Sequence, residues 1–321
     1  MRAFITGVTG FAGSHLAEHL LECGDEVLGS SHRGQWNCDV PEAVQHSVSK
    51  FTWDLTTAAD QTICRVVHDF QPEVVFHLAA ISVPSECGTT EPTPLALASN
   101  VGGTQAIIEL CRSLTIRPRV LLASSCHVYA PVSIESPVVA EDAPVDPARS
   151  YGKTKLLAEQ EIQRAIETDK LDAIVARSFQ HTGPRQSHRM ILPDWIRQFT
   201  LSDDEPIRVG SLDTYLDLTD VRDICRGYRQ LSVDGKRGNV YNVGSGICRR
   251  SGDLLEVIQQ CAGSQREVIE LEPGRRQHPI ADISLLTQQT GWKSEIPLEQ
   301  TVADTLNYWR ETHLREEGMD S

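Results

Sequence analysis

The chain has 321 residues, 40% hydrophobic and 23% charged, enough for one large domain or two that share a buried core. With 30 basic and 44 acidic side chains the net charge is -14, which excludes the basic footprint of a nucleic-acid binder but not small anions held at helix N-termini. Composition also excludes collagen, coiled coil and wholesale disorder.

In chain order, an apolar strand is expected at 3–6, then a helix at 14–22 with Leu16, Ala17, Leu20 and Leu21 at helical spacing. Strands at 26–29, 51–53, 74–78 and 120–124 alternate with helices at 61–70 and 97–114. A long helix at 151–167 and a strand at 173–177 follow. Strands apolar throughout, separated by helices, predict an α/β fold: a Rossmann-like, doubly wound parallel sheet covered on both faces. Past residue 178 the rhythm is irregular. Helices at 193–200, 221–231 and 251–261 and a strand at 240–243 are interrupted by turn signals such as Thr182-Gly183-Pro184 and Glu272-Pro273-Gly274. These predict a smaller, interleaved C-terminal α+β substrate domain. Residues 1–176 with about 214–243 form the dinucleotide-binding part, and about 177–213 with 244–321 form the substrate-binding part. Residues 315–321 read as a frayed tail.

The 9 cysteines (23, 38, 64, 87, 111, 126, 225, 248 and 261) form no Cys-x-x-Cys pair. They read as small buried hydrophobes kept reduced, as in a cytoplasmic protein, with no disulfide framework and no metal site. The N-terminus reaches Gly7 before any signal-peptide core forms, and no apolar run is long enough to span a membrane.

Gly7-Val8-Thr9-Gly10-Phe11-Ala12-Gly13 joins the first strand to the first helix. Its glycines allow a tight turn and close approach of backbone to a pyrophosphate that faces the helix N-terminus. The second strand leads into Gly29-Ser30-Ser31-His32-Arg33, with no carboxylate to bond a ribose 2′-hydroxyl. Ser31 and Arg33 suit the 2′-phosphate of NADP(H) better than NAD(H). Asp54 is placed either to meet an adenine amino group or to serve as an ordinary turn carboxylate.

Tyr151 and Lys155 stand one turn apart on one helix face. A neighbouring ammonium is expected to lower the phenol's pKa towards that of an acid–base catalyst. Upstream, the strand at 120–124 runs into Ser124-Ser125-Cys126-His127. Ser125 is the candidate to hydrogen-bond a substrate carbonyl, and Ser124 reads as structural. His127 reads as a pH-sensitive surface residue, with an acid–base role as the alternative.

Together the glycine turn, His77-Leu78-Ala79-Ala80, Asn100-Val101-Gly102-Gly103-Thr104, Ser125 and Tyr151-x-x-x-Lys155 resemble the extended short-chain dehydrogenase/reductase family, which acts on nucleotide sugars. The resemblance implies catalytic roles for Ser125, Tyr151 and Lys155 and a structural role for Asn100. It implies dinucleotide contacts at Gly7, Thr9, Gly10, Phe11, Ala12, Gly13, Ser31, Arg33, Asp54, Leu55, Leu78, Ala79, Ala80, Tyr151 and Lys155. Substrate contacts are implied at Ser82, Cys126, His127, Gln180, Arg208, Arg275 and Arg276, and a homodimer through the helices near 103–114 and 151–167.

Strings in the second half, among them Arg177-Ser178-Phe179-Gln180-His181-Thr182-Gly183-Pro184, resemble the branch that reduces GDP-linked 4-keto-6-deoxy sugars, with the GDP-mannose dehydratases next. His127 stands where dehydratases carry a glutamate, and Gln180 replaces the usual asparagine that meets the nucleotide phosphate. Leu216 stands where relatives have an arginine before Asp217, and Ala130 replaces the usual glycine after Tyr129. The expected function is NADP(H)-dependent reduction of the C4 keto group of such a sugar. A 4-epimerase or 4,6-dehydratase with bound NAD(P) and a non-catalytic dinucleotide binder are the alternatives.

Overall fold

The computed structural model describes residues 1–36, 39–201 and 205–319. Its centre is a seven-stranded sheet built from β1 (Arg2–Thr6), β2 (Glu26–Ser31), β3 (Ser49–Thr52), β4 (Val74–His77), β5 (Arg119–Ser125) and two later strands, Ala173–Ser178 and Val240–Val243. All neighbours pair in parallel. The order across the sheet is β3, β2, β1, β4, β5, Ala173–Ser178, Val240–Val243, so the winding reverses between β1 and β4 and opens a crevice at their carboxyl ends. This is the doubly wound fold that the alternation of apolar strands and helices predicts.

The period of two along each strand explains why both faces are covered. Ala3, Ile5, Phe76, Leu121 and Ile174 point into one core, which the helices α1 (Phe11–Glu22) and Val221–Asp234 complete. Phe4, Val75, Val120, Leu122 and Val175 point into the other, packed against the helices Gly103–Ser113 and Ser150–Asp169. Phe4 and Phe76 are wholly buried, each stabilising the sheet by about 1.5–3 kcal/mol. A third core gathers Trp195, Ile207, Leu216, Leu254 and Val302 in the second half of the chain.

Two expectations are revised and one helix is new. The helix expected at 97–114 is divided into Pro94–Leu97, a π-helical turn Ala98–Gly102 and the helix Gly103–Ser113. The wide turn sits at Asn100, whose side chain bonds outside its own helix. A long helix, Leu298–Met319, was not read from the sequence, although Leu298, Val302, Leu306 and Trp309 recur at helical spacing and are buried. It continues into the segment expected as a frayed tail, of which residues 320–321 lie outside the described residues.

The 8 described cysteines are free; Cys87, Cys111, Cys126 and Cys225 are buried as expected, whereas Cys23 and Cys248 are exposed, and Cys38 lies outside the described residues. Among the described residues no helix is long and apolar enough to cross a membrane. No group of three or more potential ligands there could hold a metal ion.

Candidate active site

The glycine turn lies at the carboxyl end of β1, at the mouth of the crevice. Gly7 adopts φ 72°, in the left-handed region. A Cβ on Gly13 would stand 2.1 Å from the Gly7 carbonyl, so α1 could not pack this closely on the turn with any larger residue. Gly10 is the N-cap of α1 and supplies no side-chain cap, which leaves the helix N-terminus free to meet an anion. These are the features a dinucleotide pyrophosphate requires, and the residues present fit one.

β2 ends at Ser31, with no carboxylate before Gly34. Ser31 is buried and its hydroxyl accepts from the Gly34 amide at 2.9 Å, while Arg33 is exposed. Asp54 is exposed, and its Oδ1 accepts from the Thr56 amide at 3.0 Å and hydroxyl at 2.8 Å. Those bonds hold the carboxyl below the usual carboxylate range. Leu55 is buried under the sheet edge, and the Ala79 backbone passes against Gly7.

β5 ends on Ser125, which caps the short 3₁₀ turn Cys126–Val128 and accepts from the His127 amide at 3.3 Å. Ser124 faces away and donates to Glu159, whose carboxylate is paired with Arg177 at 2.8 Å in a buried cluster.

Tyr151 and Lys155 lie at the start of the helix Ser150–Asp169. Lys155 is buried, donates from Nζ to the Ala123 carbonyl at 2.9 Å, and lies 5.9 Å from the centre of the Tyr151 ring. The expected lowering of the phenol's pKa is not what the structure gives. Burial raises Tyr151 well above its ordinary value; Tyr228, Cys126 and Cys87 add to the rise, and the Ser125 hydroxyl opposes it. The ammonium is directed at a backbone carbonyl rather than at the phenol. Burial also brings Lys155 itself down to about 8.

His127 requires a second correction. It is half-buried in a pocket wall rather than free on the surface: its ring stands edge-on to Tyr151 at 5.9 Å between centroids and edge-on to His278 at 6.3 Å. Burial, with His278 and Arg149 nearby, lowers its pKa to about 4, so it is neutral at physiological pH. Cys126, His127, Tyr151, Arg149, Gln277 and His278 share the wall of one pocket of about 190 Å³. None of the residues lining it is a carboxylate.

The other expected substrate residues do not line this pocket. Ser82 is exposed on the loop after β4. Gln180, on the strand Gln180–Thr182, has a buried Oε1 without a hydrogen-bond partner. Arg208 is exposed, Arg275 lies 4.7 Å over the Tyr215 ring, and Arg276 pairs with Glu272 at 2.8 Å. Arg149, Gly152 and His278 were not found from the sequence. Arg149 and Gly152 flank Tyr151, and a glycine in a first helical turn is itself a signal of close approach. A Cβ on Gly152 would lie 2.1 Å from the His127 carbonyl. Gly152→Ala should therefore push the helix off the Cys126–Val128 turn and destabilise the protein by about 1–3 kcal/mol. Turnover should fall further than stability alone explains. Thermal unfolding and turnover beside the exposed-face control Gln163→Ala would check this, and a variant indistinguishable from the control would refute it.

Comparison with known proteins places these features in context. The profile of the NAD dependent epimerase/dehydratase family matches residues 3–244. The chain is 26% identical to the GDP-6-deoxy-D-mannose reductase of Pseudomonas aeruginosa, covering 98% of this chain and 99% of that protein. The structure of RMD from Pseudomonas aeruginosa complexed with NADPH superposes with a TM-score of 0.78 at 25% identity, covering 97% and 99% of the two chains. A Bacillus cereus UDP-glucuronic acid 4-epimerase, solved with UDP-glucuronic acid and NAD, superposes at 0.84 with 23% identity over 97% of this chain and 100% of that one. At that identity the likeness speaks for the fold alone.

Proposed function

The chain belongs to the NAD dependent epimerase/dehydratase family, whose members are NAD(P)-dependent nucleotide-sugar reductases, epimerases and dehydratases, and from that premise we propose that it reduces the C4 keto group of a GDP-linked 4-keto-6-deoxy sugar with NADPH. The observation that carries this reading is the Tyr151 phenol on the wall of a pocket whose lining contains no carboxylate. Reduction of a ketone needs a proton donor. Dehydration also needs a base to remove a carbon-bound proton, and an epimerase must first use its tyrosine as a base.

In this reading the turn from Gly7 to Gly13 holds the pyrophosphate, with Leu78, Ala79 and Ala80 beside it. Ser31 and Arg33 hold the 2′-phosphate, and Asp54 and Leu55 border the adenine. When bound, the dinucleotide supplies the hydride. Ser125 donates a hydrogen bond to the C4 oxygen and orients the carbonyl. Tyr151 gives its proton to that oxygen as charge develops there. Lys155, anchored on Ala123, fixes the floor on which the nicotinamide ribose rests. Cys126 and His127 border the sugar as neutral walls, while Ser82, Gln180, Arg208, Arg275 and Arg276 belong to the nucleotide end. The same reading divides the chain into 1–176 with 214–243 for the dinucleotide and the remainder for the sugar nucleotide. It includes a cytoplasmic homodimer joined through the helices near 103–114 and 151–167.

The test is a panel of GDP-, dTDP- and UDP-linked 4-keto sugars, followed by NADPH and NADH absorbance. GDP-4-keto-6-deoxy sugars should be reduced with NADPH. Arg33→Glu should weaken NADPH about tenfold or more and scarcely alter NADH, because a charge-assisted contact of about 1.5–3 kcal/mol is removed. Turnover confined to UDP sugars would overturn the substrate reading, and an unchanged cofactor preference would overturn the NADPH reading.

A further inference from the structure

The crevice floor and the proton donor are joined by an unbroken buried chain of hydrogen bonds. It begins at the Ala79 amide, which donates to Thr6 Oγ1 at 3.2 Å. Thr6 Oγ1 and His77 Nδ1 are 2.8 Å apart, and His77 Nε2 and Thr104 Oγ1 are 3.2 Å apart. The Thr104 hydroxyl donates to the Asn100 carbonyl at 2.8 Å. The Asn100 side-chain amide donates to Thr154 Oγ1 at 2.9 Å, and the Thr154 hydroxyl donates to the Tyr151 carbonyl at 2.8 Å. Asn100 also clamps Ile81, accepting from its amide at 2.8 Å and donating to its carbonyl at 3.0 Å.

The proton count in this chain fixes the imidazole tautomer. The Thr104 hydroxyl proton is committed to the Asn100 carbonyl, so Thr104 meets His77 only as an acceptor, and Nε2 must carry the hydrogen. A neutral imidazole carries one N–H, so with Nε2 protonated Nδ1 is bare and accepts the Thr6 hydroxyl proton, while the Thr6 oxygen accepts from Ala79. Each hydrogen in the chain then has one acceptor, all running one way, from the loop beside the glycine turn to the backbone of the proton donor. His77, Asn100, Thr6, Thr104 and Thr154 are all at most 2% exposed, where each unmade bond is costly.

We propose that His77, as the Nε2–H tautomer, is a positioning residue that holds the Tyr151 end of its helix in register with the loop 79–81 above the glycine turn. It touches neither substrate nor dinucleotide. It acts on catalysis because the Ala79 backbone lies against Gly7, on the nucleotide side, while Thr154 sits one turn from Tyr151, on the sugar side. A small slip between those two parts would move the phenol relative to the carbonyl it must protonate, and a misplacement of about 1 Å costs on the order of 10²-fold in rate.

The two nitrogens can be replaced separately. His77→Asn keeps an acceptor near Nδ1 for Thr6 and removes the donor to Thr104. His77→Gln keeps a donor near Nε2 for Thr104 and loses the Thr6 bond. His77→Asn should therefore lower turnover on the order of 10²-fold with dinucleotide affinity nearly intact. His77→Gln should recover most of the turnover while weakening the dinucleotide. In the wild-type protein without ligand, the nitrogen shifts of His77 should show a bare Nδ1 and a protonated Nε2, and His77→Asn should speed amide exchange at residues 151–155.

The turnover arm rests on the reductase reading, whereas the shifts and the exchange do not. Failure of the wild type to reduce any sugar in the panel would count against that reading alone. A protonated Nδ1 would overturn this inference. So would equal losses of stability, affinity and turnover in both variants, since a merely structural histidine would give that result.

Discussion

Tyr151→Phe is expected to bind the dinucleotide as tightly as the wild type and to lose turnover by about 10²–10⁴-fold, the range for removing a positioned proton donor. The substitution deletes one oxygen. The ring that stands edge-on to His127 at 5.9 Å remains, as do the helix and its close seat on the Cys126–Val128 turn, so the pocket keeps its shape. Burial raises the phenol's pKa, which keeps it protonated at neutral pH but makes it a weaker acid, so its proton moves only as charge develops on the carbonyl oxygen. No carboxylate in the pocket lining can replace it. His127 is not an imidazolium acid at neutral pH, because burial holds its pKa at about 4. Dinucleotide titration beside steady-state turnover makes the measurement. Undiminished turnover in the variant would remove Tyr151 from the chemistry and the reductase reading with it.

The fold was legible where the signal is local and periodic. Alternate residues of each strand point into opposite cores, so the runs at 3–6 and 173–177 could be read as strands covered on both faces. The glycine turn could be read because Gly7 and Gly13 are needed for conformation and close approach, which are properties of the residue itself. What stayed hidden depends on distance in space. His278 reaches His127 because the strand Ile280–Ala281 pairs with Val138–Val139, a contact no local pattern announces. The π-helical turn at Asn100 exists because its amide is taken by Ile81 and Thr154, on other elements. The direction of the Tyr151 shift was missed for the same reason. A lysine four residues away is visible in the sequence, but the burial that outweighs it is not.

Stability should fall steeply as the pH drops below about 6.5, before most carboxylates titrate. Burial brings His77 down to about 3 and His15 to about 4; they are 2% and 5% exposed. In the folded chain both stay neutral until the pH approaches those values, while the unfolded chain takes up a proton on each near 6.5. A folded-state pKa below the unfolded one means that the unfolded state binds more protons on acidification. The full stability is therefore present above about 6.5 and is lost as the pH falls towards the folded values. At pH 4.5 each of these two histidines accounts for about 2–3 kcal/mol, together a large share of the 5–15 kcal/mol typical of a domain. His127, His181 and His278 are shifted the same way and add to the slope. Urea unfolding at pH 7.5, 6.5, 5.5 and 4.5 would show it as a midpoint that is level above 6.5 and then drops. His15→Gln should make the drop shallower by about one proton's worth, 1.4 kcal/mol per pH unit. A midpoint that stays level down to pH 4.5 would mean these imidazoles are protonated in the folded protein, and would contradict the neutral, hydrogen-bonded His77 on which the link between the crevice floor and Tyr151 depends.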